Sequence, residues 1–149
     1  MPTLIHRRVR ECQAGKYPKA VCRVSSGWVV FGDVQFLPGY SLLLADPVVS
    51  DPNQMDEAVR KTFFYEMSVI GDALLSLTDA VRINYEILGN QEPALHAHVF
   101  PRYDTEPEET RLSPVWLYDW DAAPPFEETR DRPLMDALRR DLQKRGIAE

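Results

Sequence analysis

The sequence predicts an α+β domain: an antiparallel sheet of about five strands, one long helix packed on it, and a C-terminal arm and helix at the periphery. Three observations carry that prediction. Short runs rich in β-branched and aromatic residues, or alternating in polarity, fall at residues 20–24, 28–31, 41–45, 81–88 and 95–100. A long stretch, residues 53–77, keeps apolar side chains at the three-and-four spacing of one helical face. Beyond Tyr103 the chain turns acidic and proline-rich before a last helical pattern.

Taken in order, residues 4–14 place Ile5, Val9 and Cys12 on one side of a short amphipathic helix that stops near Gly15. Residues 20–24 and 28–31 form a hairpin around Ser25-Ser26-Gly27. Pro38-Gly39 marks a turn, since proline presets one dihedral and glycine permits a positive one. Residues 41–45 then make a short apolar strand covered on both faces. Asp51-Pro52-Asn53 signals the start of the long helix, whose buried face holds Val59, Phe63, Met67, Ile70, Leu74 and Leu77. In residues 81–88, Val81, Ile83, Tyr85 and Ile87 alternate with Arg82, Asn84 and Glu86 up to the Gly89-Asn90 break. Residues 95–100 form the strand that ends at Pro101 and carries two of the three histidines in the chain. Residues 104–130 are an extended arm anchored by Trp116, Tyr118 and Trp120, and Asp131-Arg132-Pro133 opens a final helix to about Arg145.

Composition bounds the function. At 149 residues the chain suits one domain, 1–149. No apolar run approaches the ~20 residues of a membrane helix, and the amino terminus meets Arg7 and Arg8 without a secretory pattern, so the expectation is a soluble cytoplasmic protein with no membrane partner. A net charge of -6 speaks against a nucleic-acid polymer as ligand. The cluster Arg7, Arg8 and Arg10 reads as a solvated helix face, and Cys12 and Cys22 as buried or incidental thiols.

The chemistry concentrates in His96 and His98. One residue apart on a strand, they emerge from the same face about 6 to 7 Å apart. One imidazole can attack an electrophile while the other supports the leaving group, because histidine alone titrates near neutrality without a large perturbation. A phosphorus centre suits such a pair. Two alternatives stand beside this reading: hydrogen-bonded histidines at a sheet surface, or two zinc ligands completed by His6, Cys12, Cys22 or acids of the tail.

The run Leu95-His96-Ala97-His98-Val99-Phe100-Pro101-Arg102 resembles the end of the histidine-triad (HIT) signature, in which three histidines alternate with apolar residues before Pro-Arg. The resemblance extends upstream through Phe31-Gly32-Asp33, the Pro38-Gly39 turn, a long helix, a strand and a Gly-Asn loop, covering about residues 28–103. Residues 104–149, the arm and final helix, lie outside this shared core. The resemblance implies a HIT-like fold and a nucleotide hydrolase or nucleotidyl transferase. Its substrate would be a dinucleoside polyphosphate such as diadenosine polyphosphate, a phosphoramidate or an adenylylated compound. His96 would attack the α-phosphorus and form a nucleotidyl-histidine intermediate, and His98 would contact the scissile phosphate, an assistance worth ~10²–10⁴ in rate. Asn90, with Gln91 beside it, would offer amides to the phosphates, Asp33 would hold the ribose hydroxyls, and Asn84 is a further substrate-binding candidate. Val24 and Phe31 would line a base slot or belong to the ordinary core. No cofactor or protein-bound metal is required, a divalent cation can accompany the nucleotide, and the family commonly forms homodimers.

Two positions depart from the pattern. Ala94 stands at the first triad position and Tyr40 where a histidine usually follows Pro-Gly. Both are site-lining candidates, with the phenol of Tyr40 expected to fill the space beside Ala94 and supply a hydroxyl. The alternative functions are a nucleotide-binding module with little or no turnover and a metal-dependent enzyme. The acidic run Asp104, Glu106, Glu108 and Glu109 is expected to be solvated, because carboxylates near a phosphate site repel substrate.

Overall fold

A computed structural model describes residues 2–149; Met1, the first residue of the expected domain, lies outside the described residues. Helix α1, Leu4–Gln13, starts with a reciprocal cap in which Thr3 accepts from the His6 backbone and the His6 ring accepts from the Thr3 backbone. It buries Ile5, Val9 and Cys12. Strands β1, Ala20–Val24, and β2, Gly27–Phe31, form the expected hairpin. Its turn is bound by the Glu66 carboxylate, which accepts from Ser25 N at 3.1 Å, Ser26 N at 2.8 Å and Ser26 Oγ at 2.6 Å. Strand β3 is Ser41–Ala45 and is buried throughout.

Helix α2, Glu57–Leu77, begins later than the sequence suggests. Asp51 instead caps a short 3-10 turn, Pro52–Gln54, and Met55 leaves it in an extended conformation that breaks the helix path. Val59 consequently lies on the exposed first turn, while Phe63, Ile70 and Leu74 are fully buried. Strand β4, Arg82–Glu86, is an edge strand, and β5, His96–Arg102, lies between it and β3 in the antiparallel order β1-β2-β3-β5-β4. Strand β5 runs through Pro101 instead of stopping there. The Arg102 carbonyl accepts from Val81 N, so Arg102 points its backbone groups toward β4. Pro101 therefore points its nitrogen toward β3, whose pairing ends at Ser41 opposite Val99, and no ladder bond is lost.

The arm contains a helical turn α3, Glu108–Arg111, and a 3-10 turn, Val115–Leu117. Helix α4, Glu128–Lys144, starts before Asp131, whose carboxylate accepts from Glu127 N at 2.8 Å and so caps the helix from inside its first turns. Alternation sorts the sheet into two faces. Val24, Phe31, Leu43, Ala97 and Val99 pack under α2 and under Met135, Leu138 and Leu142 of α4. Val30, Leu42, Leu44 and Phe100 pack on the opposite face under α1 and Val115 of the arm. Among the described residues no helix is long and apolar enough to cross a membrane.

Candidate functional site

His96, His98, Phe100 and Arg102 alternate with Ala97, Val99 and Pro101, so period two puts both histidines on the face covered by α1 and the arm. Their ring centroids are 5.0 Å apart. His96 Nδ1 lies 2.6 Å from the Ala94 carbonyl. A carbonyl only accepts, so Nδ1 carries the proton and Nε2 carries the free lone pair. His98 Nδ1 lies 2.7 Å from the Tyr40 hydroxyl, and its ring lies parallel to Phe100 and edge-on to Trp116. Burial, with the neighbouring His96 as a smaller cause, lowers the His98 pKa to about 3, so the ring is neutral at physiological pH. Burial raises the Tyr40 phenol above its ordinary value, which keeps it protonated. Among the described residues the Tyr40 hydroxyl has no other hydrogen-bond partner; in the tautomer in which it donates to Nδ1, His98 Nε2 is an N–H donor.

Local sequence explains how Tyr40 reaches this position. Gly39 has φ +97°, and a Cβ on Gly32 would lie 2.2 Å from the Tyr40 ring. Buried Gln35 holds the turn by donating to the Gly32 and Tyr40 carbonyls and accepting from Gly39 N.

Two cavities meet at the histidines. The inner one, about 220 Å³, has apolar walls from Ile5, Val34, Leu42 and Trp120 and polar ones from Arg8 and Asp33. The outer one, about 400 Å³, lies under the β4–β5 loop and includes Leu88, Asn90 and Gln91. Glu92, Trp116 and both histidines line both cavities. The arrangement places a nucleophilic nitrogen and an N–H donor where the two cavities meet.

The sequence candidates divide accordingly. Asp33 faces the inner cavity, where it accepts from Arg8 Nη2 at 2.6 Å and Lys19 Nζ at 3.0 Å. Burial pushes its carboxyl up, but those hydrogen bonds outweigh it and hold the pKa below the ordinary value. Asn90 and Gln91 face the outer cavity. Asn84 is not brought to the histidines. Register sets it opposite Phe100, and its Oδ1 accepts from Arg102 Nη1 at 2.8 Å in a separate groove. Opposite His98 stands Glu86. Tyr40 supplies its hydroxyl, but it does not fill space beside Ala94. Ser41 pairs with Val99 and Leu44 with His96, so the two residues flank opposite ends of the histidine pair. Ala94 is buried, lines neither cavity, and contributes its carbonyl. Val24 and Phe31 belong to the core on the far face.

Sequence reasoning missed four side chains. Arg8 is not part of a solvated face: its side chain is 16% exposed and pairs with Asp33. The available signal was its spacing from Ile5 and Cys12, which sets it beside the buried stripe. Trp116 and Trp120, read only as arm anchors, stack at 4.9 Å over the site. Glu92 ends the Gly89-Asn90-Gln91-Glu92 loop that the resemblance sets at the phosphates, but its carboxylate was given no role of its own. The acidic run also needs correction, because Glu106 is buried against Arg102, with side chains 5% and 8% exposed, and accepts from Arg102 Nε and Nη2, Tyr103 N and the Tyr118 hydroxyl. Asp104, Glu108 and Glu109 are exposed. For a metal, no group of three or more His, Cys, Asp or Glu side chains converges among the described residues. His6 is engaged in the α1 cap, and Cys12 and Cys22 are buried free thiols, each raised to about 12 by burial.

No family profile and no curated protein matches the chain. Solved structures do. A histidine triad protein from Bradyrhizobium japonicum superposes with a TM-score of 0.72 at 24% identity, covering 82% of this chain and 88% of that one. A histidine triad (HIT) protein from Sinorhizobium meliloti gives 0.72 at 20% identity, over 89% and 93% of the two chains. One from Marinobacter aquaeolei gives 0.75 at 18% identity, over 95% and 97%. With the same sheet and helices shared over most of each chain, this protein has the histidine-triad fold.

Proposed function

We propose that this chain is a histidine-triad family member that binds a nucleotide conjugate and cleaves it at the α-phosphate through a nucleotidyl-His96 intermediate. The observation that carries the reading is the hydrogen bond from His96 Nδ1 to the Ala94 carbonyl, which leaves Nε2 aimed as a nucleophile beside the His98 donor. The backbone of residue 94 supplies that orientation, so an alanine there retains it.

In the reaction the His96 Nε2 lone pair forms a bond to the α-phosphorus while the bond to the leaving group breaks, and the leaving group takes the electron pair. An amine leaving group also takes a proton from water in the outer cavity, leaving hydroxide there; a phosphate or carboxylate needs none. His98 Nε2–H donates to a phosphate oxygen as charge builds there. Water or that hydroxide then attacks phosphorus, a water shedding its extra proton to solvent; the phosphorus–nitrogen bond breaks with its electron pair returning to His96 Nε2, and the nucleotide is released. Asn90 and Gln91 supply neutral amide donors to the phosphates from the loop. Asp33 accepts from the ribose hydroxyls, since each of its oxygens has one bond to a cation and a second lone pair free. The chemistry needs no cofactor from the protein, and a divalent cation travels with the nucleotide where its charge requires one.

The test is to incubate the protein with diadenosine tetraphosphate and adenosine 5′-phosphoramidate beside His96→Ala. Nucleotide release and an acid-labile nucleotidyl-protein are expected from the unmodified chain. His96→Ala should lose ~10³-fold or more in rate and form no adduct. Binding without release by the unmodified chain would make it a nucleotide-binding module instead.

A further inference from the structure

The outer cavity has a charge pattern at odds with a polyphosphate leaving group. Besides the two histidines it is lined by Leu88, Asn90, Gln91, Glu92 and Trp116, with the Gly89 backbone, and holds no lysine or arginine among the described residues. Arg8 lines the inner cavity alone and is bonded to Asp33. Apart from the histidines, Glu92 is thus the one acidic or basic side chain of the outer cavity, whose boundary with the inner one it shares, and its Oε2 is screened from solvent without a hydrogen-bond partner. A buried acceptor without a donor is costly, and a ligand N–H removes that cost. Polyphosphate brings several negative charges and would find repulsion with no lysine or arginine of the cavity to offset it.

Resting on the reaction proposed above, we infer that the outer cavity is a leaving-group subsite selecting an alkyl chain that ends in an ammonium, as in a diamine joined to the nucleotide through its other nitrogen. Glu92 pairs with the ammonium, and the Trp116 indole adds a cation–π surface where the carboxylate alone would be screened. Leu88, 54% exposed, offers the methylenes an apolar wall. The inner cavity, with its apolar walls and the Arg8–Asp33 pair, keeps the nucleoside.

The experiment compares the adenosine 5′-phosphoramidates of butylamine and 1,4-diaminobutane, which differ at the chain end by the ammonium. The unmodified protein is expected to favour the diamine conjugate by about tenfold in kcat/KM. Glu92→Gln is expected to bring the two values together and to raise the rate on diadenosine tetraphosphate relative to the phosphoramidates. Equal rates on both conjugates in the unmodified protein, or a preference that survives in Glu92→Gln, overturn the inference and leave the reaction standing. Calorimetric binding of both conjugates to His96→Ala reads the same preference without chemistry. An absence of turnover therefore removes the reaction alone, and equal binding of the conjugates removes the subsite.

Discussion

The two faces of the sheet come from the same strands, yet they are closed in different ways. One is sealed by two continuous helices, and Leu43, Phe63, Ile70, Leu74, Val99 and Leu138 there are fully buried. Its buried carboxylate, Glu66, is fully engaged by the β1–β2 turn. The other is covered by pieces from both ends of the chain, α1 and the arm, and it carries Tyr40, His96, His98 and Arg102. A continuous helix leaves no room beneath it, whereas two separate covers leave cavities between them. Polar chemistry sits on the face whose lid is discontinuous.

The sharpest way to break that contrast is at Arg102, which is held by Asn84 of β4 and ties the arm down through Glu106 and the carbonyls of Arg111 and Ser113. Arg102→Met should cost about 3–5 kcal/mol, because it leaves the Glu106 carboxylate buried without its cation. Urea unfolding followed by tryptophan fluorescence measures this, and Glu106→Leu added to it should recover much of the loss. A cost near zero would mean that the arm docks by its aromatics alone.

On the sealed face, Leu43→Ala should cost about 2–5 kcal/mol by removing packed methyls and leaving a cavity. Its effect on unfolding should be the same with and without bound nucleotide, since it lies on the side away from the site. A nucleotide-dependent difference would contradict the separation of the faces.

The pH dependence of stability separates them further. His98 is held at about 3 against an ordinary 6.5, so between those values the unfolded chain binds a proton that the folded chain refuses. Stability is therefore lost as pH falls from 6.5 towards 3. His98→Asn should flatten that slope in urea midpoints measured across the window, and an unchanged slope would place the titrating group elsewhere. The smallest effect is expected from Tyr40→Phe, which deletes one hydrogen bond worth about 0.5–1.5 kcal/mol. It frees the His98 tautomer, so turnover should fall by up to about tenfold with KM nearly constant. Unchanged kinetics would remove any role for the hydroxyl.

Much of the fold could be read from the chain because its signals are local. Strand β3 occupies the stretch marked by its apolar run, and α1 buries the three residues its spacing selected. The misread boundaries have local causes with tertiary outcomes. Pro101 looked like a stop, but its nitrogen points past the end of β3; Asp131 looked like a cap before the helix, but it caps from within. Within the site, the shared face of His96 and His98 and the outward loop of Asn90 and Gln91 were legible. Asn84 was misjudged because the same face of a sheet holds several neighbourhoods, and register assigns it to Arg102.

Sequence alone determined what depends on neighbours along the chain: the alternation that turns both histidines to one face, the turn glycines, and the helical stripes that must be buried. Tertiary structure decided which partners those groups meet. Arg8 finds Asp33 across 25 positions and Tyr40 finds His98 across 58. Such pairings follow from strand register and from the docking of α1 and the arm, where burial energy is summed over whole surfaces and no short segment specifies the result. The histidine pair was written in the period of a strand; its neutral ring, its oriented nitrogen and the charge of its two cavities came from packing.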